Sequence, residues 1–247
     1  MANFDASRLK IVRSRTHVGS PVEVIRAFLL RTPLYIVVEL DNGRKYWCVR
    51  VREPMPAEFS AIQGDAIHNL RASLDLLACE LVRLNNQSDD DVYFPFSKTQ
   101  SDFQQMFTRR HMDRASQRAQ ALVHALQPYP GGDDDLRAVH DLDIIDKHQM
   151  LIPAADMVGM PDYAGPSGLV QGQKVSLRDG ARVPVDSYLE PYVSTSRPYH
   201  GTFSLNLPLT TANGTPFPLA GREVVPTIIQ LSTKVENIIS QFAALYP

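Results

Sequence analysis

Cysteine is nearly absent: Cys48 and Cys79 are the only two among 247 residues. They share no CxxC or Cys–His spacing, which excludes a disulfide framework and a zinc site and leaves two small thiols expected to be buried. No stretch approaches 18 consecutive apolar residues, and Met1 to Arg8 contain no apolar run, so neither a membrane span nor a signal peptide is expected. A soluble, cytoplasmic protein follows as the expectation. An excess of one charge is missing too. Lys and Arg number 25 against 27 Asp and Glu, a net charge of -2, so there is no global positive field and no strong nucleic-acid signal. Glycine-rich phosphate loops, nucleophile elbows, HExxH and EF-hand patterns are likewise absent, which removes the commonest motif-based assignments.

What remains has globular composition, 44% hydrophobic and 21% charged, with enough chain for a single domain around one sizeable core. Ser20-Pro21-Val22-Glu23 supplies an N-cap, a proline at the first helical position and a glutamate at the third, predicting a helix over at least Pro21 to Leu30. Residues 34 to 52 alternate β-branched and aromatic side chains about Asp41-Asn42-Gly43 and predict a β-hairpin. The longest helix is expected from about Ala61 to Leu84, shorter ones near 101 to 109 and 113 to 127, and another from Leu136 to about His148 after the acidic run Asp133-Asp134-Asp135. That run matches a helix N-terminus, where negative charge is favoured. Residues 151 to 220 turn to Pro, Gly, Ser and Thr, with a second hairpin expected over Lys174 to Val183 and a strand over Thr202 to Leu207. Residues 222 to 246 form a last amphipathic helix that packs back on the core, through Ile228, Leu231, Val235, Ile238, Ile239 and Phe242. The fold class is α+β: five or six core helices, an N-terminal β-hairpin and a β-rich segment before the C-terminal helix.

Two of these helices place charge where an apolar face belongs. On the first, Ile67, Leu70, Leu74, Leu77, Leu81 and Leu84 form one stripe, and His68, Arg71 and Asp75 line its flank at spacings of three and four. Asp65 is expected in the first turn as a cap. On the second, Leu136, Val139, Leu142 and Ile145 mark the buried side, and Asp143 and Asp146 fall among them. Carboxylates there require cations, hydrogen-bond donors or a metal, and His68 and Arg71 can answer them if the two helices pack together. Lys147 is expected to point away, and His148 stands near the helix end.

Three chemistries fit such a cluster. A divalent metal between helical carboxylates is disfavoured, because the Glu-x-x-His pairs of di-iron bundles are missing; the metal and cofactor state is otherwise undetermined. A metal-free site would use His68 as general acid or base, Arg71 as electrostatic stabiliser and Asp75, Asp143 and Asp146 as orienting or second-base carboxylates, with His148 at its edge. The third reading is a satisfied salt-bridge network that fixes helix register. Elsewhere, Arg109-Arg110-His111 with Arg114 and Arg118 reads as a solvated basic face, since no aromatic residues are interleaved to stack bases. Trp47 reads as a core anchor, and Tyr188, Tyr192 and Tyr199 as loop tyrosines able to line a pocket.

At the same residues the chain resembles a widespread family of bacterial and phage proteins marked by G-D-x-x-H-N-L-R-x-x-L-D and a later I-D-K-H. The match consists of Gly64, Asp65, His68, Asn69, Leu70, Arg71, Leu74 and Asp75, then Ile145, Asp146, Lys147 and His148, with Phe94-Pro95-Phe96 and Leu126-Gln127-Pro128-Tyr129 similar to the family's spacers. It spans roughly residues 8 to 150. This resemblance implies a fold and no reaction. A more distant similarity is to HEPN-type helical ribonucleases, in which an arginine is followed by a histidine four to six residues later. Relatives read R-x-x-L-D-H, whereas Leu76 follows Asp75 here, so either His68 substitutes or that activity is lost. Taken together, the expected function is hydrolysis of a phosphodiester or small polar substrate, possible partners being such a substrate, RNA or a second copy of the chain. The alternative is a non-catalytic ligand-binding or regulatory protein.

Overall fold

The computed structural model describes residues 4–31, 34–53, 56–148, 154–159, 174–175, 182–185, 202–206 and 221–246, together with the single residues 196 and 219. The first helix, α1, runs over Asp5–Leu30. Ser7, Ile11, Ser14 and Val18 are buried along it at the four-three-four spacing of a packed helix face. Two of those four positions are serine, so hydropathy alone does not reveal the stripe. The helix passes straight through Ser20 and Pro21, which overturns the expected start there. Proline's fixed φ near −65° is compatible with a helix, although Pro21 gives up one i→i−4 hydrogen bond in the interior of α1.

β1 (Leu34–Asp41) and β2 (Arg44–Val51) form the expected antiparallel hairpin, with Asp41 paired to Arg44. Asn42 and Gly43 turn at φ 48° and 79°, the double left-handed conformation that a two-residue hairpin requires. Trp47 is buried there.

α2 (Ala57–Arg83) begins four residues earlier than its periodicity indicates. Asp65 consequently lies mid-helix and exposed, its carbonyl accepting from Asn69 Nδ2 at 2.7 Å, and is not a cap. α3 (Phe103–Arg109), a 3₁₀ turn (Met112–Arg114) and α4 (Gln117–Leu126) follow. α5 spans Asp134–His148, and Asp133 Oδ1 accepts from the Leu136 amide at 2.9 Å, so the acidic run does start the helix.

β3 (Ala154–Gly159) pairs with both β4 (Lys174–Val175) and β6 (Thr202–Asn206). β5 (Arg182–Pro184) instead joins the free edge of β2, Cys48 opposite Arg182 and Tyr46 opposite Pro184. The segment 174 to 183 is therefore not a hairpin, because its two arms pair with different sheets. The edge of β2 supplies unpaired backbone groups, and Arg182 adds an ion pair to Asp41 at 2.9 Å and a place over the Tyr46 ring. Tyr188, Tyr192 and Tyr199 lie outside the described residues.

α6 (Val224–Ala243) buries Ile228, Leu231, Val235, Ile238, Ile239 and Phe242 as its spacing predicts. It packs on α1, α2 and α5, and α2 sits between α1 and α5. The chain is thus α+β with a helical core, and α2 contributes its leucine stripe to the centre, Ile67 to Leu81 fully buried. None of the hairpin's buried residues belongs to that main core.

Candidate functional site

α2 and α5 cross as antiparallel neighbours in a series of side-chain rungs. Gly64 faces Asp146, His68 faces Asp143, and Arg71 faces His140. Ascending numbers on one helix meet descending numbers on the other. At Gly64 the fit is so close that an added Cβ would lie 2.2 Å from both carboxylate oxygens of Asp146. Glycine here supplies room rather than a special backbone conformation.

The middle rung is open on one side and closed on the other. His68 Nδ1 lies 2.9 Å from Asp143 Oδ1, with the imidazole 52% exposed and the carboxylate 4% exposed. Lys147 Nζ donates to the other oxygen, Oδ2, at 2.6 Å. Lys147 therefore reaches back one turn instead of pointing away, because a carboxylate this deeply buried is costly without a compensating charge and hydrogen bonds. Nε2 of His68 has no partner among the described residues.

The next rungs are closed. Arg71, 7% exposed, has a protein partner at each of its three nitrogens: Nε donates to His140 Nδ1 at 3.3 Å, Nη1 to Asp75 at 2.5 Å and Nη2 to the Phe94 carbonyl at 3.4 Å. Asp75 in turn accepts from the Phe94 amide at 2.9 Å. Arg137 on α5 repeats the arrangement, pairing with Asp141 through Nε at 3.1 Å and Nη2 at 2.6 Å while Nη1 donates to the Ser97 carbonyl. Two buried arginines, each neutralised four residues on, thus grip the Phe94–Ser97 segment from the two helices. The Phe96 ring fills the space between, stacked on His140 at 4.8 Å and 3° and lying 4.7 Å from the Arg71 guanidinium. Burial, followed by the charges of Arg71 and Arg137, pushes His140 down to about 3, so it is neutral and accepts from Arg71.

The expected residues consequently separate. His68, Asp143 and, through Gly64, Asp146 lie along the same helix contact, whereas Arg71 and Asp75 belong to the clamp on Phe94–Ser97. His148, the last residue of α5, is exposed. Sequence reasoning missed His140, Arg137 and Asp141. Arg137 and Asp141 carry a readable signal, the same i,i+4 spacing as Arg71 and Asp75, but His140 carries none until Phe96 is placed against it. In the basic cluster, Arg110 lies over Tyr93 and Arg114 holds the carbonyls of Ser88 and Asp90, so part of that face is structural. Cys48 is buried and Cys79 half-buried, and burial raises both thiols, Cys48 to about 11, which leaves neither a ready nucleophile.

Among the described residues no group of three His, Cys, Asp or Glu is placed to hold a metal ion, and no helix is long and apolar enough to cross a membrane. Fold and site together define an α+β protein whose helical core carries a histidine–aspartate pair bridging two helices. No family model, curated protein or solved structure matches the chain.

Proposed function

We propose that the chain is a hydrolytic enzyme in which His68 transfers the proton. The observation that carries this reading is the 2.9 Å contact between the half-exposed His68 and the buried Asp143. A carboxylate on Nδ1 holds the proton there, fixes the ring's orientation and leaves the Nε2 lone pair free to take a proton from water. Lys147, on the second oxygen of Asp143 and itself half-exposed, adds positive charge next to the ring. That charge suits a substrate whose transition state gains negative charge, an ester or phosphodiester of a small polar molecule. Asp146, one turn along α5, is the candidate second carboxylate.

Arg71 and Asp75 have a positioning role in this proposal. Their mutual satisfaction supports the salt-bridge reading for this half of the cluster. It also weighs against the ribonuclease similarity, which wants an arginine free to meet phosphate. The test is hydrolysis of 4-nitrophenyl esters and of bis(4-nitrophenyl) phosphate by the wild type, His68→Gln and Asp143→Asn. Loss of general-base catalysis lowers kcat about 100-fold or more in both variants, at nearly unchanged melting temperature in the half-exposed His68→Gln and in Asp143→Asn beyond any loss of folded protein. Wild-type rates in His68→Gln, or no turnover of either substrate class by any form, sink the proposal.

A further inference from the structure

One side of α5 lines a cleft of about 680 Å³, bounded also by Phe96–Lys98 and α3, with His140 belonging both to this lining and to the contact with α2. That volume lies within the range of small-molecule sites, roughly 300 to 1,000 Å³. His68 is not part of its lining. We propose that this cleft is a binding site for an organic anion with a flat apolar body, an aryl or polycyclic carboxylate in chemical class.

Three observations converge on that class. The wall contributed by Met106, Ile144 and Ile145 is apolar and close to the ring of Phe96, which favours a body with π or aliphatic surface over an inorganic ion. The charges are unequal. Arg137 and Asp141 cancel each other in their own ion pair, while Lys98 and Arg109 are exposed, stand in no ion pair among the described residues and face a single further carboxylate, Asp102. The lining is left one positive charge in excess, in a concave site where apolar walls focus the field. His140 supplies the third element. Its Nδ1 accepts from Arg71, so its proton sits on Nε2, a nitrogen with no partner among the described residues in a ring that lines the cleft. A neutral donor of this kind orients a carboxylate oxygen without adding a charge that must be desolvated.

The same geometry explains why the α5 face is so polar. Arg137 and Asp141 place a buried, charge-balanced pair at the base of the cleft, and the clamp on Ser97 fixes the position of Lys98 next to it in sequence. The site thus combines residues of α5 and α3 with a connecting segment that Arg71 and Arg137 tie to the core. Its occupancy is independent of proton transfer at His68.

Isothermal titration of the intact chain with 1-naphthoate, with the neutral isostere 1-naphthalenemethanol and with inorganic phosphate reads out the proposal. Naphthoate is expected to bind at least tenfold more tightly than either of the others. The Lys98→Ala/Arg109→Ala double variant changes only exposed side chains; it loses about tenfold for naphthoate and little for the alcohol. Ile144→Trp fills the cleft and abolishes binding of both aryl compounds, with circular dichroism confirming the fold, and His68→Gln binds naphthoate as the wild type does. Equal affinity for the alcohol, no naphthoate binding at millimolar concentration, or full affinity in the double variant each overturns the proposal. A loss in His68→Gln alone assigns the anion to the His68 pair and removes it from the cleft.

Discussion

Among the described residues His140 has the most displaced ionisation, and its environment sets a pH dependence that can be worked out in sign. Burial and the neighbouring Arg71 and Arg137 hold its folded-state pKa at about 3 against an ordinary 6.5. The unfolded chain therefore takes up a proton as pH falls below 6.5 while the folded chain does not, so this residue's contribution to stability is complete above pH 6.5 and is lost progressively between 6.5 and 3. One proton is worth at most about 1.4 kcal/mol per pH unit across that window. Urea unfolding at pH 7 and pH 4.5 should show the wild type losing about 2 kcal/mol more than His140→Asn, since asparagine offers an acceptor to Arg71 and does not titrate in this range. Equal losses in the two proteins would place the acid sensitivity elsewhere. His68, 75 residues from Asp143 in sequence and half-exposed, was legible as a partner for that carboxylate because it flanks a leucine stripe on the facing helix. His140 was not, because a histidine on the flank of an amphipathic helix has the same pattern whether it meets water or the face of a phenylalanine.

The contact between α2 and α5 is an element-scale device that depends on one missing side chain. Alanine at position 64 would gain helix propensity, about 1 kcal/mol over glycine in a helix interior, yet its Cβ would overlap the Asp146 carboxylate. Overlap in a packed interface costs about 1 to 3 kcal/mol, so Gly64→Ala should be net destabilising in thermal or urea melts. Removing the obstruction should reverse the sign: Gly64→Ala/Asp146→Ala is expected to recover at least part of the loss, a positive coupling between the two positions. A stabilised single variant would mean that the Asp146 carboxylate turns aside at little cost, leaving the gain in helix propensity. Helix existence and the positions of Asp143 and Asp146 were readable from a 3.6-residue period. Three features were not, each for a physical reason. The buried face of α1 uses Ser7 and Ser14, small polar residues that fit a close helix contact, with Ser73 Oγ donating to the Ser7 carbonyl at 2.8 Å, and they are invisible to hydropathy. The start of α2 at Ala57 has no side-chain cap. Lys147 turns toward Asp143 for electrostatic reasons that periodicity does not register.

At the scale of the whole molecule the described residues bury two separate sets of side chains. The main core joins α1, α2, α5 and α6 with the α3–α4 region, whereas Ile36, Val38, Trp47, Cys48 and Val49 of the hairpin lie outside it. The sheet that contains them, ordered β1-β2-β5, is closed on one side by a strand of only three residues recruited from far along the chain. Such pairing is set by which strand edge is unoccupied, a property of the assembled fold, and so the alternation in residues 174 to 183 looked local when its partners were not. A small sheet with little share in the main core should open at lower free energy than the helices, because local stability follows buried apolar contact. Trp47 is the sole tryptophan in the chain and is buried in that sheet, so its emission reports the sheet while far-UV circular dichroism is dominated by helix. In a guanidinium titration the Trp47 emission shift is expected to have its midpoint below that of the circular dichroism signal, a departure from two-state behaviour. Substituting Val183, which pairs with Trp47 on the β5 side, by proline removes a backbone donor from that edge and should widen the gap by lowering only the fluorescence midpoint. Coincident midpoints in the wild type, moving together in Val183→Pro, would show instead that hairpin and helices unfold as one cooperative unit.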